Sequence, residues 1–546
     1  MRSGPLLRRI AGILLLLGLG CLAARAQGPV SKVWVPDLGN GSYKNPVLYA
    51  DYSDPDVVRV GPDYYLTSSS FNAVPGLQIL HSRDLVNWTI IGAVFSQQPP
   101  LADFQQPQHG NGVWAPAIRY HNKQYYIYYP DPDRGIYVTR AKHPAGPWEA
   151  PVLVKEARGW IDPCPLWDDD GQAYLVHAFA GSRAGFKSVL ALSRMSPDGL
   201  RLIGDDVLIF DGHEKHPTIE GPKFYKRKGY YYILAPGGGV ATGWQVALRS
   251  NNPFGPYEDK IVMAQGKTPV NGPHQGAWVD TPDGKEHWFL HFQDQGPYGR
   301  VVHLQPLQWK NDWPVIGSDA DGDGTGEPVL THAKPAVKGP VTLATPATSD
   351  EFEANSLGLQ WQWHANPQVG WAFPNGPQGY LRLYSVPLPA DFKNMWQVPN
   401  LLLQKLPAAQ FTATARLRFT PRFEGEKTGL IMMGLDYAYL GLSSQGGKLL
   451  LAPTTCTSAD KGSAEASGGS VEIPAKQPIY LRVSVKEGAK CQFSYSLDGQ
   501  TFQPIGSEFQ AREGKWIGAK MGLFCLRAGK TNDAGNVDVD WFRVEP

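Results

Sequence analysis

The sequence predicts an all-β protein, a five-bladed β-propeller followed by a β-sandwich. Three observations predict it. A hairpin-like segment recurs five times at a spacing of about 50 to 60 residues. Helical periodicity is almost absent. The repeat stops near residue 310, and a Pro- and Ala-rich stretch then leads into a second run of alternating strands.

The five copies are "VVRVGPDYYLTSSS" (57–70), "AIRYHNKQYYIYYP" (117–130), "PLWDDDGQAYLVHAF" (165–179), "KFYKRKGYYYILAP" (223–236) and "WVDTPDGKEHWFLHF" (278–292). Each is a short apolar strand, a polar turn and an aromatic-led strand, which reads as a β-hairpin. Further β segments such as "NWTIIGAVF", "GPWEAPVLV" and "GPYEDKIVM" lie between them. That gives roughly four strands per unit, the content of a propeller blade. An ordinary sandwich with coincidental hairpins is the alternative, and the regular period argues against it. The propeller is assigned to residues 27–335 and a linker to 336–348. Alternating stretches such as "QFTATARLRF", "IYLRVSVKEG" and "VDVDWFRV" assign a sandwich to 349–546.

The first 26 residues read as a signal peptide rather than as fold. "MRSGPLLRR" is a basic start, "IAGILLLLGLGCLA" a short apolar core, and "ARA" a cleavage site, with the cut placed after Ala26. The apolar run is too short for a membrane span. Gly18 stands where a lipid-attachment motif at Cys21 would want Leu. The expected location is therefore secreted or periplasmic, with no membrane association after cleavage. Lys plus Arg (51) nearly balances Asp plus Glu (50), so no broad field invites nucleic acid or anionic lipid. A neutral ligand is expected. The 17 Trp and 24 Tyr suit a sugar, although most such rings fill β cores. Of the remaining cysteines, Cys456, Cys491 and Cys525 share one region, and one disulfide among them is expected; Cys164 stands apart.

The acids carry the chemistry. Aligned on the aromatic pair of the second strand, Asp54, Asp162 and Glu220 all fall at the start of the first strand, in blades one, three and four. If those strands are innermost, the three carboxylates converge on one end of the axis. Like charges and burial raise the pKa of at least one of them. A lone Asp before a strand is more often a cap or turn residue, but three at equivalent repeat positions point to a metal or to a reaction. Glycosidic bond cleavage needs one protonated carboxyl for the leaving oxygen and one carboxylate that activates water or attacks.

These residues resemble glycoside hydrolase family 43, which includes β-xylosidases, α-L-arabinofuranosidases and endo-arabinanases. The resemblance runs through "NPVLYADYSDPDVVRVGPDYYLTSSSF", "PGLQILHSRDLVNW", "GVWAPAIRYH", "WIDPCPLWDDDGQAYLVHAF", "IEGPKFYKRKGYYYILAPGGG" and "PYGRVVHLQP". The C-terminal part resembles the concanavalin-like sandwich appended to the xylosidase and arabinofuranosidase members. The resemblance implies an inverting mechanism with Asp54 as general base and Glu220 as general acid. Asp162 would raise the pKa of the proton donor and orient it. Asp56 departs from the small residue common at its position and reads as structural. Phe71 and Trp114 match aromatic walls of the terminal-sugar subsite, and Arg300 matches an arginine that binds sugar hydroxyls. His274 resembles a central histidine that faces a cation or water cluster in several members; a satisfied core histidine is its other reading.

No cofactor is expected for the chemistry, and a structural calcium is the one metal considered. Asp350 and Asp540 lie near the two ends of the sandwich, where related sandwiches often carry calcium. Asp319, Asp321 and Asp323 resemble a calcium-loop start, but Leu330 occupies the position that needs Glu. The expected activity is exo-acting release of terminal xylose or arabinose from plant cell-wall oligosaccharides or side chains. The alternatives are an endo-acting arabinanase-type enzyme and a non-catalytic carbohydrate-binding propeller. A sucrose- or fructan-cleaving propeller is disfavoured because its W-x-N-D-P-N-G start is missing. A loop of the sandwich, around 520–529, is expected to close the pocket.

Overall fold

The computed structural model describes residues 29–475 and 477–546. The expected signal peptide, residues 1–26, lies outside them. Five four-stranded antiparallel sheets, each built from consecutive strands, form the propeller. Blade one begins with Asp56–Val60, blade two with Ala117–His121, blade three with Trp160–Trp167, blade four with Lys223–Arg227 and blade five with His274–Asp280. First strands of neighbouring blades contact one another around most of the ring, so they are the innermost. Blade one packs directly on blade five through Val57, Tyr64 and Leu80 against Ala277, Leu290 and Leu304. The N-terminal arm seals that joint. Ser42–Lys44 pairs with Thr331–Ala333, and the Asn45 side chain donates to the carbonyls of Leu304 and Val329 at 2.8 Å each.

The strands form for the reason the repeat suggested. In the second strands, aromatic and β-branched residues stack into the spaces between blades, as in Gln124–Asp131, where Tyr125, Ile127 and Tyr129 meet Leu77, Ile79 and Phe95 of blade one. Blade three departs from expectation. Its first strand starts at Trp160, and the ladder slips between Ile161 and Cys164. Asp162 therefore sits in a bulge inside the strand rather than at its start, with φ of 57°. A bulge leaves a residue unpaired and re-aims its side chain.

The C-terminal part is a sandwich of an eight- and a nine-stranded sheet. Leu381, Ala413, Leu417 and Val539 of one sheet meet Leu402, Leu430, Leu440 and Leu523 of the other. The segment between the propeller and the sandwich is pinned, since Ala344 N–H donates to Asn87 at 3.0 Å and Thr345 Oγ1 accepts from Ser31 N–H at 2.7 Å. The sandwich also extends the propeller's hydrogen bonding. Val74 and Trp363 exchange backbone bonds, Asn72 donates to the His364 carbonyl at 2.6 Å, and the Tyr298 hydroxyl donates to the Ala409 carbonyl at 2.8 Å. Among the described residues no helix is long and apolar enough to cross a membrane.

The expected disulfide does not form, because Cys164, Cys456, Cys491 and Cys525 are all buried free thiols. Cys491 belongs to the eight-stranded sheet and Cys525 to the nine-stranded one. Cys456 packs in a separate cluster on the other face of the nine-stranded sheet. Sequence proximity placed them in one domain, but two lie on opposing sheets and the third on the outer face of one of them. Two outcomes follow. A chain beginning at Gln27 titrates four thiols with Ellman's reagent in guanidinium without reductant, and dithiothreitol leaves its melting temperature unchanged.

Candidate active site

Asp54, Asp162 and Glu220 gather at one end of the propeller axis. Asp54 and Asp162 both adopt left-handed backbone, with φ of 54° and 57°. Each such residue costs about 1–3 kcal/mol and persists only where the surroundings impose it. Both side chains point inward and are almost fully buried.

Asp54 is held on several sides. Its Oδ2 accepts from the hydroxyls of Ser53 and Ser69 at 2.6 Å each. Arg300 Nη1 lies 3.2 Å from its Oδ1 and also donates to Ser53 Oγ at 2.6 Å. Arg300 is itself located by Asp51, which accepts its backbone N–H at 2.9 Å, and its guanidinium lies 4.8 Å over the Phe292 ring. Asp162 Oδ2 accepts the Gly221 N–H at 2.7 Å, which fixes the turn that carries Glu220. Gly221 is required there, because its φ is 59° and a Cβ would lie 2.7 Å from the Gln275 side chain. Burial, then the charges of Glu220 and Asp54, push the Asp162 carboxyl well above the ordinary range. The Gly221 N–H and Lys223 oppose that shift. Asp162 therefore keeps a proton where isolated aspartates have lost theirs.

Glu220 is the most exposed of the three, with 28 % of its side chain open. His274 Nε2 lies 3.4 Å from Glu220 Oε1. Neither ring nitrogen of this buried imidazole has a hydrogen-bond partner among the described residues. A single imidazole does not fit calcium, which takes six to eight oxygen ligands. Asp56, by contrast, is fully buried and accepts from Ile118 N–H at 2.7 Å and Arg119 at 2.6 Å.

The walls are aromatic. Phe71, itself at φ of 51°, and Trp114 stand edge to face at 6.3 Å. Trp114 donates from its indole to the Gly110 carbonyl at 2.7 Å. The sandwich completes the rim. Trp516, 46 % exposed, meets Trp114 edge to face at 6.2 Å. Gly110 makes room for this approach, since a Cβ there would meet Lys515 at 2.5 Å and Trp516 at 2.8 Å. Asp51 ties the same loop down by accepting the Gly518 N–H at 3.1 Å. The closing element is thus the loop before Lys520–Arg527, not the 520–529 segment expected from sequence, which forms a strand. Arg183, with its guanidinium 5.3 Å over Trp114 and bonded to Asn111 at 2.9 Å, adds a charged edge. Ser53, Ser69, Arg183 and Trp516 were not singled out from sequence. Only Trp516, a lone Trp in the Gly-bounded "EGKWIGA", carried a local signal.

Asp350 and Asp540, the expected calcium ligands, both have protein partners. Asp350 accepts from Phe352 N–H, Gly358 N–H and the Trp361 indole at 2.9, 3.3 and 3.0 Å, while Asp540 pairs with Arg416. Neither joins a cluster of three metal-ligating side chains among the described residues. Asp319, Asp321 and Asp323 do cluster, but Lys310 already binds Asp319 at 2.7 Å.

Comparison with known proteins agrees with this architecture. Residues 43–314 match Glycosyl hydrolases family 43, and residues 349–545 match the beta xylosidase C-terminal concanavalin A-like domain. A provisionally named beta-xylosidase of Xylanibacter ruminicola is 40 % identical over 90 % of this chain and 87 % of its own. A non-reducing end alpha-L-arabinofuranosidase of Bacteroides ovatus is 27 % identical over 92 % of this chain and 95 % of its own. The crystal structure of a GH43 protein from Bacillus licheniformis superposes with a TM-score of 0.79 at 26 % identity, covering 92 % of this chain and 99 % of that one.

The buried, proton-retaining Asp162 makes a stability prediction. Between the ordinary Asp pKa near 4 and its raised value, the folded protein binds a proton that the unfolded chain has released. Stability from this group is full at low pH and falls as pH rises through that window. Asp162→Asn should therefore melt higher than wild type at pH 7, with the advantage shrinking toward pH 4. A melting series over that range reads it directly.

Proposed function

The chain belongs to glycosyl hydrolase family 43, and from that premise we propose that it is an exported, exo-acting pentosidase. It removes terminal xylose or arabinose from plant cell-wall oligosaccharides or side chains by inverting hydrolysis. The observation that carries this reading is the cluster of three carboxylates, Asp54, Asp162 and Glu220, under an aromatic rim.

The roles follow from the surroundings. Asp54, held by two hydroxyls and a guanidinium, accepts a proton from the attacking water. Glu220, open to the pocket, donates a proton to the leaving oxygen. Asp162, bonded to the Gly221 N–H, fixes the donor's position and keeps its own proton beside it. Arg300 both orients Asp54 and stands ready for sugar hydroxyls. Phe71 and Trp114 form the wall against which the terminal sugar packs. The sandwich loop supports exo action, because Trp516 adds a second domain's side chain to the rim beside Trp114. Relatives named beta-xylosidase and alpha-L-arabinofuranosidase align over 93 % and 92 % of this chain, which supports the substrate class.

The test is hydrolysis of nitrophenyl β-D-xyloside and nitrophenyl α-L-arabinofuranoside, side by side. Wild type turns over at least one, and Glu220→Ala and Asp54→Asn each lower kcat by about 10²–10⁴. The first-formed sugar has inverted anomeric configuration by NMR; a retained anomer sinks the mechanism. A second prediction concerns the rim. Trp516→Ala should raise KM for xylo- or arabino-oligosaccharides roughly tenfold, in line with about 1.4 kcal/mol for a lost aromatic contact. It should leave melting temperature and turnover of the nitrophenyl glycosides nearly unchanged.

A further inference from the structure

The far end of the propeller axis holds a second cavity, of about 390 Å³. Three consecutive residues from the innermost strand of every blade line it: 57–59, 119–121, 165–167, 224–226 and 278–280. Since Asp54 and Glu220 precede two of these strands, the cavity opens on the opposite face, roughly 15 Å away at about 3.3 Å per residue. Buried side chains stand between it and the active site. Asp56, Arg119 and Lys223 fill the axis between them: Arg119 bonds Asp56 at 2.6 Å and Cys164 Sγ at 2.8 Å, and Lys223 lies 3.7 Å from Asp56.

The lining has a distinctive chemistry. Tyr120, His121, Trp167, Tyr225 and Trp278 give it aromatic walls, with Tyr120 41 % exposed at the lip. His121 lies flat against Trp167 at 4.4 Å, and Tyr225 and Trp278 meet at 5.1 Å on the other side. Every charge facing the cavity is already paired inside the protein. Arg59 bonds Asp280 at 2.8 Å, Arg119 bonds Asp56, and Lys226 pairs with Asp168 and Asp169. No net charge remains to hold an ion. The Tyr120 hydroxyl and the His121 ring have no hydrogen-bond partner among the described residues, which leaves polar groups free at an aromatic mouth. A concave site of this size, with apolar walls and a few convergent polar groups, is the form that ligand sites take.

We propose that this distal mouth is a second, non-catalytic saccharide site that binds neutral pentose polysaccharide. A neutral ligand with hydroxyls and apolar ring faces fits paired charges, aromatic walls and free polar tips, whereas an anion, a nucleic acid or a cation finds nothing to neutralise it. The identity of the sugar as a pentose rests on the reading of the active site. Placed on the opposite face, the site would hold the enzyme on a polymer while leaving the catalytic pocket open to other chain ends, raising local substrate concentration.

The experiment is affinity electrophoresis of the full chain in gels containing soluble arabinoxylan or arabinan, with nitrophenyl glycoside turnover measured on the same preparations. The proteins are wild type, Tyr120→Ala and Tyr120→Ala/His121→Ala. At least one polysaccharide is expected to retard wild type. The double variant should weaken the apparent dissociation constant at least fivefold, and turnover should stay within twofold of wild type. The single variant, which changes only an exposed side chain, should weaken binding in the same direction. Equal retardation of all three proteins overturns the proposal, as does a wild type that neither polymer retards. Retardation lost in the variants with no turnover by any protein supports the distal site and sinks the active-site reading alone.

Discussion

Three carboxylates share one end of a closed β ring, and much of the local structure exists to hold them there. Burying like charges together is unfavourable, so each is given specific partners. Asp54 has two hydroxyls and Arg300. Asp162 has the Gly221 N–H. Glu220 keeps part of its side chain in solvent. Beneath them, Lys223 is fully buried, donates to the Pro116 carbonyl at 2.8 Å and opposes the Asp162 shift. Left-handed backbone at Asp54 and Asp162 and a bulge in blade three aim these side chains at one point. A strand in regular register would have sent Asp162 into a ladder instead of the axis.

The sandwich is part of the site as well as a companion domain. Asp51 joins the two halves with one carboxylate, taking the Arg300 N–H on one oxygen and the Gly518 N–H on the other. The guanidinium that orients Asp54 and the loop that carries Trp516 are thereby set from a single buried residue. Burial raises the Asp51 carboxyl, and the nearby ammoniums of Lys405 and Lys520 oppose that rise. The pocket's depth is therefore a property of both domains together.

Much of this was legible in the residues. The five hairpins gave the blade count, and the alignment of Asp54, Asp162 and Glu220 on that repeat picked out three side chains that the fold brings together. Phe71, Trp114, Arg300 and His274 also lie at that end of the axis. Other features had no local signature. The serines around Asp54 are two among many, and Arg183 reaches Trp114 from another blade. Of the metal-like acids in the sandwich, Asp350 faces N–H donors of its own loop, and Asp540 meets Arg416 from a distant strand.

What the sequence alone determined is periodic: alternation makes strands, turn residues end them, and a repeat of about 50 to 60 residues makes blades. It also placed the acids, because equivalent positions of a repeat become neighbours around a ring. Tertiary structure decided what depends on two distant segments meeting. It separated Cys491 and Cys525 onto opposing sheets and turned Cys456 to the far face of one of them. It chose the loop before Lys520 as the rim, and it closed the axis with Asp56, Arg119 and Lys223 to leave a mouth at each end. Side-chain direction and domain docking are set by packing across the whole ring, and no local stretch encodes them.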